Sequence, residues 1–182
     1  YTSSVMALTI ATMIPLLDNA VSLIRHRRVD VFASFMLIGF VLSLLAVFMG
    51  GSERLILLRE SFVTAVLGFL FLGSLLFSRP LIYHFAIRFT VGNDPVKAAE
   101  FASNWAYPYF RFVLRLMTIV WGCALLGEAL VRTFLVFQLS VPAFLAISNF
   151  VVYGFIGAAV VWTVLYRRHS AKRLQTIKLG HQ

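Results

Sequence analysis

Four charged residues stand inside apolar runs of this chain. Arg59 and Glu60 lie in RLILLRESFVTAVLGFL, and Glu128 and Arg132 lie in LLGEALVRTFLVF. An ionisable group in such surroundings needs a partner or a water-filled cavity. Glu128 and Arg132 are four residues apart with the acid first, the favourable order for a pair on one helix face. The spacing therefore predicts two acid–base couples on two helices, meeting as Arg59 with Glu128 and Glu60 with Arg132. Such a cluster acts either as a structural clamp, the commoner outcome, or as a site for an ion or substrate.

A second polar group is Asp18-Asn19, two turns before the basic cluster Arg25, Arg27 and Arg28. Asp18 is a candidate partner for Arg115, Arg79 or Arg88. Pro15, just before it, removes a backbone hydrogen bond and bends a helix. Together with Arg115 these residues make a candidate inner polar site. Arg25, Arg27 and Arg28 are candidate contacts for anionic lipid headgroups.

Enzyme chemistry finds no footing. His26, His84, His169 and His181 are scattered, and none has a second histidine four residues away. They suggest neither a zinc nor a haem site. No phosphate-binding loop, dinucleotide fingerprint or nucleophile elbow is present. The expectation is a non-catalytic protein without a cofactor. Cys123 stands alone, which excludes an internal disulfide, and it reads as a small buried packing residue.

The elements that position these residues follow from hydropathy. The chain has 182 residues, 60% of them hydrophobic, and a mean hydropathy of +0.90. Soluble domains are nearer 45–50% apolar. A bilayer core of ~30 Å takes about 20 helical residues. Five runs are long enough for helices and lack the strict alternation of a barrel strand: about 3–24, 31–49, 55–77, 112–137 and 141–166. The expected architecture is one all-α integral membrane domain over 1–182, with a basic cytoplasmic tail at 167–182.

The net charge of +9 does not point to nucleic acid, because the basic residues sit in short clusters between apolar runs. With five spans, the clusters after span one, between spans three and four, and in the tail fall on one side. Positive-inside bias makes that side cytoplasmic, with the N-terminus outside. The chain opens on Tyr1, so an upstream piece is expected, and no signal-peptide pattern is legible.

Between spans three and four lies a segment expected to rest at the membrane interface. Tyr83, Phe85, Ile87 and Phe89 read as interfacial anchors. Asp94-Pro95 reads as a helix start, with Asp as N-cap and Pro at the first position. Trp105, Tyr107, Tyr109, Phe110 and Phe112 read as an aromatic belt at the start of span four. In span three, Ser61, Thr64, Ala65 and Gly68 form a small-residue stripe, which predicts a central helix closely packed by its neighbours. Asn149 in span five is expected to hydrogen-bond across to another helix.

The segment Arg54–Ile82 carries Arg59, Ser61, Leu72-Gly73-Ser74 and Arg79-Pro80-Leu81-Ile82. In these residues it resembles the bacterial septation protein A family of small inner-membrane proteins. The resemblance extends through Trp105 to Asn149, Phe150, Val152 and Gly154. Glu60 replaces that family's proline and Val151 its lysine, so the chain looks like a divergent relative. The resemblance implies a five-span protein of the bacterial inner membrane, linked to cell-envelope growth, with no established biochemical activity. The expected role is association with partners in the membrane or cell envelope, as a homo-oligomer or an accessory subunit. The alternatives are a small transporter or channel, and a protein that binds anionic lipid.

Overall fold

The computed structural model describes residues 31–48, 52–91 and 94–179, all of them helical or in the short links between helices. The first expected span, with Asp18, Asn19, Arg25, Arg27 and Arg28, lies outside the described residues. The chain falls into two compact units, Tyr1–Val41 and Leu42–Gln182. Helix α1, Val31–Phe48, runs across the boundary between them and has the bounds expected for the second span to within one residue, but only its shorter stretch Ser34–Ser43 counts as an apolar helix, so it is not among the spans below. The remaining helices belong to the second unit.

These are α2 (Glu53–Gly73, extended by a 3-10 turn over Ser74–Leu76), α3 (Leu81–Ala86, continued by π-helical turns to Val91), α4 (Pro95–Ser103), α5 (Pro108–Gln138) and α6 (Val141–Leu179). Among the described residues, three helical stretches are long and apolar enough to cross a membrane: Glu53–Leu76, Pro108–Gln138 and Val141–Ile177. The shortest has 24 residues, which at 1.5 Å per residue is about 36 Å. Their surfaces support that reading. Phe62, Phe69, Phe134, Phe150 and Tyr153 all stand outward, a burden that a water-facing surface rarely carries in such density.

The helix boundaries follow local chemistry. Asp94 Oδ1 accepts from the backbone N–H of Val96 at 3.0 Å and of Lys97 at 3.3 Å. With Pro95 at the first position, this is the N-cap that the sequence announces. Pro108 likewise stands at the start of α5, there without a side-chain cap. The helix therefore starts four residues before the expected boundary. At the other end, α6 does not stop at Tyr166. It continues through the basic tail to Leu179, because nothing between Arg167 and Leu179 breaks a helix: there is neither proline nor glycine.

The small-residue stripe on α2 suggested that this helix is central. Among the described residues the centre is instead α5, which packs against α2 on one side and α6 on the other. Two glycines on α5 explain why. A Cβ on Gly122 would stand 2.6 Å from Leu72 Cδ2 of α2, and one on Gly127 would stand 2.8 Å from Phe155 Cε1 of α6. Five residues along a helix is about 140° of rotation, so the two glycines open two different faces.

The α2–α5 crossing is reciprocal. Leu72 sits over Gly122 while Leu126 sits over Gly68, whose added Cβ would be 2.9 Å from Leu126 Cγ and 3.2 Å from the Gly122 carbonyl oxygen. Each helix contributes a glycine and the leucine four residues later. Rising numbers on α2 meet falling numbers on α5, so the pair is antiparallel. The α5–α6 pair is antiparallel as well. Trp121 Nε1 donates to Thr163 Oγ1 at 3.0 Å, and Phe155 meets Gly127.

One end of this bundle is closed by α3 and α4. Tyr83, Val113, Leu114 and Met117 form a buried core there, with Phe101, Trp105 and Trp162 against it. Tyr83 makes edge contact with Trp105 at 5.1 Å between ring centroids. Tyr83 was expected as an interfacial anchor, but it is buried, while Phe89 is exposed. Residues two apart on a helix are about 200° apart, so Tyr83, Phe85, Ile87 and Phe89 cannot share one outward face. The aromatic belt divides similarly: Trp105, Tyr109 and Phe110 pack on the core, whereas Phe112 stands outward.

The corner from α2 into α3 is held by one hydroxyl. Ser74 Oγ donates to the Phe71 carbonyl at 2.6 Å and accepts from the Leu81 N–H at 3.0 Å. Pro80 is buried in the same corner.

Candidate functional site

Arg132 is the hub of the charged cluster. Its Nη2 donates to Glu60 Oε2 at 2.6 Å, and its Nη1 donates to Glu128 Oε1 at 3.3 Å. Its guanidinium also lies 5.7 Å from the ring centroid of Phe144 on α6, within cation–π range. One side chain on α5 thus engages both neighbouring helices. The helical spacing explains the Glu128 contact: residues four apart lie one above the other. The antiparallel crossing explains the Glu60 contact, because it brings the start of α2 level with the end of α5.

The burial of the three groups differs. Glu128 is 1% exposed and Arg132 5%. The Glu60 side chain is 74% exposed. Thr64, one turn on from Glu60, donates its hydroxyl to the Glu60 carbonyl at 3.0 Å and lies beside Glu128. Four polar atoms in this region are buried without a hydrogen-bond partner among the described residues: Glu128 Oε2, Arg132 Nε, Ser61 Oγ and Arg59 Nε.

The expected pairing of Arg59 with Glu128 does not form. Adjacent residues on a helix are about 100° apart, so turning Glu60 toward α5 turns Arg59 away. Arg132 then serves both carboxylates. The cluster contains two carboxylates and one guanidinium, so a single cation holds two acids.

The other candidates are placed as follows. Ser61 and Gly68 are buried and Ala65 is half-buried, all on α2 near its contact with α5. Arg115 is exposed on α5, and the residues expected to join it, Asp18 and Asn19, lie outside the described residues. Asn149 is exposed and makes no cross-helix hydrogen bond among the described residues. Its neighbour Ser148 is buried and donates to the Leu145 carbonyl at 3.4 Å. Helix α6 is rotated so that Ser148, not Asn149, faces inward. Cys123, expected to be buried, is exposed. Among the described residues no group of three His, Cys, Asp or Glu is placed to hold a metal ion.

Several contributors carried no charge to draw attention. Phe144 meets Arg132 directly, while Gly122, Gly127, Leu72 and Leu126 set how closely the helices that carry the cluster pack. A signal for part of this was present: Gly68-to-Leu72 and Gly122-to-Leu126 share the same glycine-then-leucine spacing. Chemically, the arrangement joins helices through desolvated charge, and it leaves one carboxylate oxygen and one hydroxyl able to take a water or another small donor. Compared with family models, curated proteins and solved structures, the chain matches none.

Proposed function

We propose that this chain is a non-catalytic, multi-pass protein of the bacterial inner membrane that works by associating with other membrane chains. The observation that carries this reading is the charge cluster. Arg132 spends its charge inside the bundle, on Glu60 and Glu128, so the cluster serves to fix α2, α5 and α6 together. The reciprocal Gly–Leu crossing adds to that rigidity. What such a bundle offers its surroundings is a set of outer faces rich in large apolar side chains. A five-span layout with the C-terminus in the cytoplasm belongs to the same proposal.

Kinship with the septation protein A family is also proposed. The residues that carry the resemblance, Gly73-Ser74 and Pro80-Leu81, have a shared physical task here, because Ser74 binds the Leu81 amide and closes the α2–α3 corner. The test of the functional reading is native mass spectrometry from membrane vesicles without detergent exchange. A defined complex or homo-oligomer supports it, and the monomer alone overturns it.

A second reading, a small transporter or channel, draws on the unpartnered Glu128 Oε2 and Ser61 Oγ. It requires water to reach them. A Ser61→Cys variant in a Cys123→Ser background would be treated with a membrane-impermeant thiol reagent. Reaction supports a hydrated path, and protection throughout removes this reading.

A further inference from the structure

Helix α5 presents a ridge that the charge cluster does not use. Arg111, Arg115, Ile119 and Cys123 follow one another at steps of four residues, and all four are exposed. Each step of four residues turns by about 40°, so neighbours along the ridge touch while the ridge winds slowly around the helix, about 80° from Arg115 to Cys123. The ridge is therefore basic over its first two positions and apolar over the next two. Phe112, 56% exposed, lies one turn before Arg115, beside the basic half of the ridge.

Neither guanidinium on this ridge is in an ion pair among the described residues. Among the described residues, the acids at this end are Asp94, the N-cap of α4, and Glu100 on α4, and Asp94 is engaged by Lys97 at 3.4 Å. Like charges four apart on a helix repel each other, so an external anion between them would relieve the strain. More positive charge lies at the same level. Arg173 of α6 stacks over Tyr109 at 5.1 Å, and Arg167 and Arg168 are exposed on the antiparallel helix beside it.

We propose that Arg111 and Arg115 hold the phosphate of an anionic phospholipid, with an acyl chain lying along Ile119 and Cys123. Two guanidinium groups on one helix face suit a phosphodiester, because each offers paired N–H donors. The sequence of the ridge favours a lipid over a free phosphate: the basic pair sits at the helix end, and the apolar positions continue toward the middle of α5. Cys123 lies about 12 Å along the helix axis from Arg115, a distance that places it beside the chain and not the headgroup. Arginine side chains near a helix end reach outward to the headgroup layer in the same manner. This inference rests on the bilayer reading of α5 and not on partner association.

Cys123, the single cysteine of the chain, supplies the reporter. A bimane fluorophore would be attached to it in detergent and the protein reconstituted into phosphatidylcholine vesicles. These would contain equal mole fractions of either phosphatidylglycerol or phosphatidylcholine with brominated acyl chains. The expected result is severalfold stronger quenching by the anionic lipid. The Arg111→Gln/Arg115→Gln variant should lose that preference, and Arg111→Lys/Arg115→Lys should keep most of it. Inorganic phosphate at matched ionic strength should leave it unchanged. Equal quenching by the two lipids in the unsubstituted protein overturns the proposal, and that comparison decides the matter even where a variant does not fold. Persistence of the preference in the Gln variant also overturns it. Loss of the preference in phosphate would assign the arginines to a free anion instead. Quenching by neither lipid would remove the bilayer reading of this face along with the proposal.

Discussion

Arg132 and Glu60 stand 72 residues apart in the chain, yet their side chains meet at 2.6 Å. Arg132 is buried and Glu60 is largely open. The bond thus links a desolvated cation on α5 to the outer edge of α2, and the same cation holds the buried Glu128 on its other side.

Removing Arg132 should therefore cost more than removing Glu60. Arg132→Met leaves Glu128 buried without a counter-charge, and the expected loss is about 3–5 kcal/mol. Adding Glu128→Gln to that variant should recover a large part of it, since the uncompensated charge disappears. Glu60→Gln should cost about 1 kcal/mol or less, because an open pair contributes little. Chemical unfolding in detergent micelles checks the order. Equal losses for Arg132→Met with and without Glu128→Gln would contradict the buried-charge account.

The glycines of α2 and α5 should differ sharply in tolerance. Gly122→Ala drives a methyl into Leu72, and Gly68→Ala drives one into Leu126. Each should destabilise by about 1–3 kcal/mol through overpacking. Gly73→Ala should be near neutral, since nothing lies within 4 Å of its added Cβ. Leu72→Ala placed on Gly122→Ala should restore part of the loss. Thermal unfolding of the set measures this, and a Gly73→Ala loss matching that of Gly122→Ala would count against the crossing described.

Ser74→Ala deprives the Leu81 N–H of its acceptor in a buried corner. The expected cost is about 1–3 kcal/mol. Hydrogen exchange should localise it, with faster exchange at Leu81 and the first turn of α3 and little change within α5. Unaltered exchange at Leu81 would show that the hydroxyl does not hold the corner.

If α6 crosses the bilayer, its two ends should lie on opposite sides. In a Cys123→Ser background, Ser140→Cys and Ala171→Cys are both at exposed positions, about 46 Å apart along helical rise. An impermeant maleimide applied to sealed, oriented vesicles should label one from outside and the other only after permeabilisation. Labelling of both from the same side would refute the crossing.

Much of this architecture is legible in the sequence by itself. Apolar length located α2, α5 and α6, since a bilayer core fixes how many residues a span must have. Asp94-Pro95 marked the start of α4, because the cap satisfies amides that the helix leaves open. The Glu128–Arg132 pair followed from four-residue spacing alone. The tertiary structure decided how each helix is rotated. It turned Arg59 away from Glu128, brought Ser148 inward in place of Asn149, set Cys123 outward and made α5 the central helix among the described residues. The physical reason is common to all four. A helix that is apolar on every side has no hydrophobic stripe to mark its inner face. Its orientation is then set by shape, by where a leucine fits over a glycine on the neighbouring helix, and that fit exists only once the helices are side by side.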